Sequence, residues 1–206
     1  MSYADRTKRP PRTLTDLEQN RLLRVSGEHR DGFRDHVIFS LALGCALRIS
    51  ELIALDVGDV TLDGKKPKWT VDLRVFKRAS ADVSPKDQRV HLPESTYYKL
   101  EKYLAMRPNR FRDDFLQAPL FVSREGRRLA GRSLRDAFYA WQERAGFDHR
   151  YNFHALRHTA LSNVYAKTKD IRITQHVARH ANLQTTTRYE HASDQQVADA
   201  VRGLNS

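Results

Sequence analysis

The sequence predicts a mainly α-helical domain that is interrupted by one β-hairpin. Apolar residues recur at intervals of three and four through most of the chain, which is the period of an amphipathic helix. Residues 56–93 differ, because there the string KWTVDLRVFK alternates in the manner of a strand and a second short run, QRVHL, follows a turn-rich interval. A chain of 206 residues is long enough for one well-buried domain and too short for two of ordinary size.

The first helix is predicted to begin just after Thr15. Thr15 and Glu18 have the spacing of a capping box, in which the threonine caps the helix and the glutamate reaches back to it. Residues 1–14 lack apolar periodicity and carry basic residues around two prolines. We therefore expect a flexible basic arm or a linker over 1–14 and the folded domain over 15–206.

Further helices follow from the apolar spacing on either side of the hairpin. In chain order they cover residues 31–46, 50–55, 95–106, 133–145 and 154–167, followed by one that ends near His180 and one that carries Tyr189. Arg48 consequently lies at the boundary between two predicted helices.

Charge and composition limit the classes of partner. Lysine and arginine outnumber aspartate and glutamate by 36 to 25, and the net charge of +11 favours nucleic acid over other partners. No apolar run approaches the roughly 18 residues of a membrane span, and the N-terminus lacks the apolar core of a signal peptide. A single cysteine, Cys45, forms no internal disulfide and is expected to be a small buried hydrophobe. We therefore expect a cytoplasmic protein.

Four strings carry a resemblance to a known family. They are ALRISEL around Arg48, HALRHT from His154, ARH ending at His180, and TTTRYEH around Tyr189. Their order and separations resemble the signature boxes of the tyrosine recombinases, or phage-type integrases, including a tyrosine nine residues after the second histidine. The resemblance covers nearly the whole folded chain and implies a mainly helical catalytic domain with a small three-stranded antiparallel sheet beside the active site.

The resemblance implies that Arg48 and Arg157 clamp the scissile phosphate and that Tyr189 is the nucleophile. Arginine suits this task, because its guanidinium forms paired hydrogen bonds to two phosphate oxygens and stays charged. The phenol of tyrosine has an ordinary pKa near 10, so Tyr189 needs a base or a cationic site to attack. The resemblance makes His154 the candidate base and gives His180 a supporting hydrogen bond to the phosphate. His154 and Arg157, three residues apart, would share one helix face.

The family also uses a hairpin lysine to protonate the departing 5′ oxygen. Lys77 is our candidate, because it follows a strand in the place of the family's lysine, although the sequence there reads FKR instead of the common Gly-Lys-Gly. Lys86, just before the returning strand, is the alternative. Two other departures are Ala46 and Arg179, where the family often has glycine.

No metal or cofactor is predicted. His154 and His158 stand four residues apart, but the glutamate of an HExxH motif is missing and Arg157 would lie beside the ion. Transesterification through tyrosine also retains the energy of the bond, so the chemistry implied by the resemblance needs neither.

The function implied is that of a site-specific DNA recombinase that cleaves and rejoins strands through a 3′-phosphotyrosyl intermediate. The implied partner is double-stranded DNA. The protein would be a monomer when free and a homotetramer on two paired DNA sites, in which subunits exchange their C-terminal helices. The alternatives are nicking and relaxation as in type IB topoisomerases, or a catalytically silent DNA-binding regulator. The N-terminal core-binding domain of most relatives is not expected here, so the chain would be an excised domain or a naturally small recombinase; the initial Met1 favours the second.

Overall fold

A computed structural model describes residues 12–73, 89–107, 114–179 and 186. The chain divides into two compact units, of which one comprises residues 12–160 and the other residues 1–11 with 161–206. Several of the predicted features lie outside the described residues: most of the basic arm, both candidate lysines, Lys77 and Lys86, and the segments with His180 and Tyr189.

The first unit opens with two of the predicted helices. Helix α1 covers Asp16–Glu28, and its capping box is confirmed: the Glu18 amide donates to the Thr15 hydroxyl at 3.3 Å, and the Thr15 amide donates to the Glu18 carboxylate at 2.8 Å. Helix α2 covers Phe33–Cys45 and is buried along most of its length. Cys45 is 2% exposed, so the prediction of a small buried hydrophobe is confirmed.

Two short helices and a small sheet follow. Helix α3 covers Ile49–Ala54, helix α4 covers Val57–Val60, and strand β1, Thr70–Asp72, pairs antiparallel with strand β2, Arg89–His91. In this register Val71 lies opposite Val90, and both are buried. The predicted hairpin is therefore confirmed at its base.

The sheet has two strands within the described residues, where the resemblance implied three. The segment before β1 makes a helical turn and then a tight loop, in which the Thr61 hydroxyl donates to the Lys66 carbonyl at 2.6 Å. Thr61 and Pro67 form a single isolated bridge. Proline has no N–H to continue a ladder, so this segment does not extend into a strand.

The α-helices that follow were predicted, and a 3₁₀ turn that was not predicted lies between the first two. Helix α5 covers Glu94–Met106, a 3₁₀ turn covers Phe115–Gln117, α6 covers Gly131–Arg144, and α7 begins at His154 and ends at Thr168 in the second unit. Helices α1, α3 and α5 pack against α2, and α6 packs against α1 and α3.

The core fixes the start of α7. Phe39 of α2 lies with its ring 5.5 Å from that of Phe138 and 6.3 Å from that of Phe153, centroid to centroid. Phe153 is 4% exposed and immediately precedes α7, so its burial holds the first turn of that helix against the core.

In the second unit, helix α8 covers Ile171–Ala178. The Asp170 carboxylate caps it by accepting from the amides of Arg172 and Ile173, at 2.7 and 3.1 Å. The helix ends at Arg179 in the left-handed conformation, with φ at 52°. No helix in the described ranges is long and apolar enough to cross a membrane.

Candidate active site

Arg48 lies at the first turn of α3, as the sequence predicted. Its backbone is extended, with φ at −77° and ψ at 154°, and the helix starts at the next residue. Leu47, just before Arg48, and Leu52, about one turn after it, are 1% and 0% exposed, whereas the side chain of Arg48 is 24% exposed. The two leucines anchor the turn in the core, and the guanidinium stays accessible to a ligand.

Glu51 fixes the orientation of Arg48. One carboxylate oxygen of Glu51 accepts from the backbone amide of Arg48 at 2.7 Å, and the other accepts from Nη1 of the Arg48 side chain at 2.6 Å. Glu51 is 3% exposed. A buried carboxylate with charge-assisted bonds to both ends of one residue restricts the rotamers of that residue. Glu51 was missed as a site residue in the sequence, although a glutamate three residues after a helix boundary is a capping pattern.

The segment just before Arg48 turns sharply. Ala46 ends α2 in the left-handed conformation, with φ at 51° and ψ at 35°, and it is fully buried. Left-handed backbone favours glycine, because a side chain there is strained. This conformation gives a physical reason for the glycine that the family often has at this position, and Arg179 shares it.

Arg157 reaches the same turn from α7. Its side chain is 2% exposed, and Nη1 donates to the carbonyl oxygen of Ala46. The structure therefore brings the arginine of the HxxR string to the backbone two residues before Arg48, although 109 residues separate the two arginines in the sequence. The resemblance predicts that Arg48 and Arg157 meet at one phosphate, and this stays a prediction; the deep burial of Arg157 was not predicted.

His154 stands at the start of α7, one turn before Arg157. The His154 side chain is exposed, and its ring lies edge-on to that of His158, with 4.5 Å between centroids. The two residues of the HxxR string thus differ in environment: the histidine faces outward and the arginine is buried. Among the described residues, no three histidine, cysteine, aspartate or glutamate side chains are grouped to hold a metal ion.

The base of the hairpin is tied by one carboxylate. Asp72 accepts from Nε of Arg89 at 2.9 Å, across the two strands, and from Nζ of Lys68 at 3.0 Å. Partial burial raises the pKa of Asp72, but the hydrogen bonds from Arg89 and Lys68 outweigh it and leave the pKa below its ordinary value. Asp72 is thus ionised at neutral pH and links the two strands of the hairpin. In the sequence, Lys77 follows the first of these strands and Lys86 precedes the second.

Arg128 holds the other end of α3. Its Nη1 donates to the carbonyls of Ile53 and Leu55 at 3.0 and 3.2 Å, and its Nη2 forms an ion pair with Asp56. Ile53 lies in the last turn of α3 and Leu55 is its C-cap, so Arg128 serves as a C-terminal cap from a distant loop. Nothing in the sequence marks this residue, because its partners lie more than seventy positions away.

This fold is similar to solved recombinases and integrases. The crystal structure of XerA recombinase matches with a TM-score of 0.73 at 24% identity, covering 96% of this chain and 68% of that one. The Tn1549 transposon integrase in complex with circular intermediate DNA matches with a TM-score of 0.74 at 18% identity, covering 98% and 69%. A mainly helical domain with a small antiparallel sheet is the catalytic-domain fold of the tyrosine recombinases.

The sequence comparisons agree. The chain belongs to the Phage integrase family, whose model matches residues 12–196. Tyrosine recombinase XerC of Vibrio vulnificus is 29% identical over 197 residues, which are 95% of this chain and 58% of the relative. XerC of Caldanaerobacter subterraneus is 30% identical over 196 residues, 94% of this chain and 51% of the relative. The chain thus spans between half and three fifths of the length of these two relatives.

Proposed function

We propose that this chain breaks and rejoins DNA strands as a site-specific tyrosine recombinase. The observation that carries the proposal is the bond from Arg157 to the Ala46 carbonyl, which brings the second arginine to the turn that ends at Arg48. Family membership supports it, as do neighbours described as bound to DNA, such as the integrase with circular intermediate DNA and XerH with its difH substrate.

In the proposed reaction the phenol oxygen of Tyr189 attacks the phosphorus of a DNA strand. A phosphorus–oxygen bond to Tyr189 forms while the bond to the 5′ oxygen breaks, leaving a 3′-phosphotyrosyl link and a free 5′ hydroxyl. The phenol proton passes to a base, for which the exposed His154 is the candidate, and Lys77 or Lys86 protonates the departing oxygen. Attack by a 5′ hydroxyl from a second strand reverses the step and exchanges the strands.

Arg48 and Arg157 would stabilise the charge that builds on the phosphate oxygens. Arg48 is already oriented by Glu51, so less entropy is lost when it binds. Arg157 is 2% exposed, so a phosphate reaches it only after the atoms that cover it have moved. DNA binding should therefore be accompanied by a rearrangement around α7. His180 would add a hydrogen bond to the same phosphate.

The remaining expectations follow from this proposal. The partner is double-stranded DNA, which places the protein in the cytoplasm. The active assembly is a homotetramer on two paired sites, formed from monomers, with the C-terminal helix exchanged between neighbours. Neither a metal nor a cofactor takes part. Residues 15–206 form the catalytic domain, preceded by the basic arm.

A suicide substrate tests the chemistry. Nicked duplexes that carry inverted repeats from the DNA around the gene should trap a covalent protein–DNA adduct, because the short strand beyond the nick diffuses away before rejoining. Tyr189→Phe should abolish the adduct, whereas Tyr98→Phe, at an exposed tyrosine on α5, should not. An adduct that persists in Tyr189→Phe would refute the assigned nucleophile. No adduct with any of these duplexes would favour the silent regulator.

A second assay separates recombination from topoisomerase activity. Two duplexes of different length that share the cleaved site should yield a hybrid product whose strands come from both. If supercoiled DNA relaxes while no hybrid forms, the chain acts as a type IB topoisomerase would, and the proposed strand exchange is wrong.

A further inference from the structure

A pocket of about 190 Å³ opens at the first turn of α2. Its walls come from this turn, from the last turn of α5, and from Val122. Helix α2 has 13 residues, and Ala46 follows its other end, so roughly 18 Å of helix separate the pocket from the turn that Arg157 binds. The proposed DNA chemistry makes no use of this pocket.

Much of the lining is apolar. Phe33, Tyr103, Met106 and Val122 all contribute to it. The Tyr103 hydroxyl donates to the Leu120 carbonyl at 3.2 Å, so its polar end is already satisfied. Met106 is 60% exposed, so its flexible thioether side chain is accessible to a ligand. The lining therefore favours a ligand that brings an apolar group.

Arg107 adds a buried positive charge with an unmet hydrogen bond. The residue is 8% exposed, and its Nη1 donates to the Leu120 carbonyl. Its Nε is buried and has no acceptor in the part of the chain that the structure describes. A buried donor on a charged group is destabilising when unpaired, so such a group is a natural place for an incoming acceptor.

Two more arginines line the pocket. Arg34 is held in place, because it donates to the Val122 carbonyl and to Asp35, at 2.8 Å in each case. Arg30 is exposed at the rim, and the described lining contains three arginines and one carboxylate, that of Asp31. Arg34 forms an ion pair with Asp35, so Arg30 and Arg107 carry most of the uncompensated positive charge. The electrostatics of the pocket thus favour an anion.

The N-terminus of α2 adds little to this preference. Its N-cap is Gly32, and a Cβ there would lie 2.3 Å from the Ser26 carbonyl oxygen, so a capping side chain does not fit. Asp35 lies in the first turn of α2, however, and its carboxylate offsets the partial positive charge of the helix end. The arginines therefore carry the preference for an anion.

We propose that this pocket binds an acidic peptide segment of another protein, in which a carboxylate stands next to an apolar side chain. The carboxylate would accept from Arg30 at the rim and, after the atoms that cover the buried Nε have moved, from Arg107. The apolar side chain would contact Phe33 and Met106. A DNA phosphate is a poorer fit, because it would leave the apolar lining in water. The ligand is therefore a protein partner and not the nucleic acid.

Met106 provides a reporter for the test. The chain contains two methionines, so protein labelled with ¹³C at the methionine methyls gives two signals, and Met106→Leu identifies the one in the pocket. The probes are a capped peptide DEFDL, its amide analogue NQFNL, the acidic but non-aromatic DEGDG, and a DNA duplex. We expect saturable displacement of the Met106 signal by DEFDL and much weaker displacement by the other probes.

Charge reversal at the rim tests the electrostatic part. Arg30→Glu should weaken DEFDL binding by about tenfold or more, as expected for losing one charge-assisted contact and adding repulsion. Arg132→Glu, at a side chain that is 90% exposed on α6, is the matched control and should bind as the parent does. Arg107→Gln should also weaken binding, and Arg30→Glu provides the test if that variant does not fold.

Four outcomes would overturn the proposal. They are no response of Met106 to DEFDL, an equal response to NQFNL, an equal response to the DNA duplex, and equal weakening by Arg30→Glu and Arg132→Glu. A Met106 signal that moves with the concentration of the protein alone would assign the pocket to a second copy of the chain and would also overturn it.

Discussion

Replacing Glu51 with glutamine should slow DNA cleavage more than it destabilises the fold. Glu51 accepts at 2.7 Å from the Arg48 amide and at 2.6 Å from its Nη1. Glutamine has one acceptor oxygen, so one of these bonds is lost, while a bond kept to the guanidinium stays charge-assisted. Bonds to charged groups are worth about 1.5–3 kcal/mol, which makes the expected loss in orientation about 1.5–3 kcal/mol.

That loss corresponds to a decrease in cleavage rate of about 10- to 160-fold, if the energy that held Arg48 is needed at the transition state. The assay is single-turnover formation of the covalent adduct on the suicide substrate, together with urea unfolding of the same protein. Glu18→Gln is the control, because Glu18 makes the same kind of capping bond to Thr15 on α1 without an arginine side chain. Equal cleavage rates for Glu51→Gln and the parent, or equal slowing by Glu18→Gln, would refute the reasoning.

Three further predictions concern the turn, the core and the metal. Ala46→Gly should stabilise the fold by about 0.5–1 kcal/mol in urea unfolding, because it relieves the left-handed strain at φ 51°; clear destabilisation would mean that the buried methyl matters more. Burial, helped by the charge of Lys99, lowers the pKa of His36 to about 4, so the unfolded chain binds more protons between pH 6.5 and 4. The free energy of unfolding should therefore fall as the pH falls through that window, with a weaker dependence in His36→Gln; the same slope in both would exclude His36. Finally, EDTA should leave the adduct yield unchanged, and a loss restored by a divalent cation would contradict the metal-free reaction.

The helices could be predicted because their signals are local. Thr15 and Glu18 mark the start of α1, and apolar spacing locates α2, α5 and α6 to within two residues or so. The position of Arg48 followed from the gap between two such patterns. The number of strands in the sheet was harder to predict, because it depends on whether the residues before β1 form an extended strand. They form a helical turn and a tight loop instead.

The parts of the site that the sequence left open depend on contacts between distant segments. Arg157 is buried because α7 approaches the end of α2, and the sequence of neither segment predicts this contact by itself. The left-handed backbone at Ala46 could not be predicted, because this position is occupied by alanine and not by glycine, the residue that usually indicates such a conformation. Glu51 lies within the ALRISEL string. Its role could be recognised only in the structure, where both of its carboxylate oxygens accept hydrogen bonds from Arg48.

Helix α3 has six residues, which is too short to persist by itself in water. Glu51 secures its beginning and Arg128 its end. A designer who shortens or grafts the loop that supplies Arg128 would therefore alter how accurately the Arg48 side chain is held, without changing Arg48 or Glu51. Variation in that loop among natural homologues should be constrained for the same reason, despite its location at the surface.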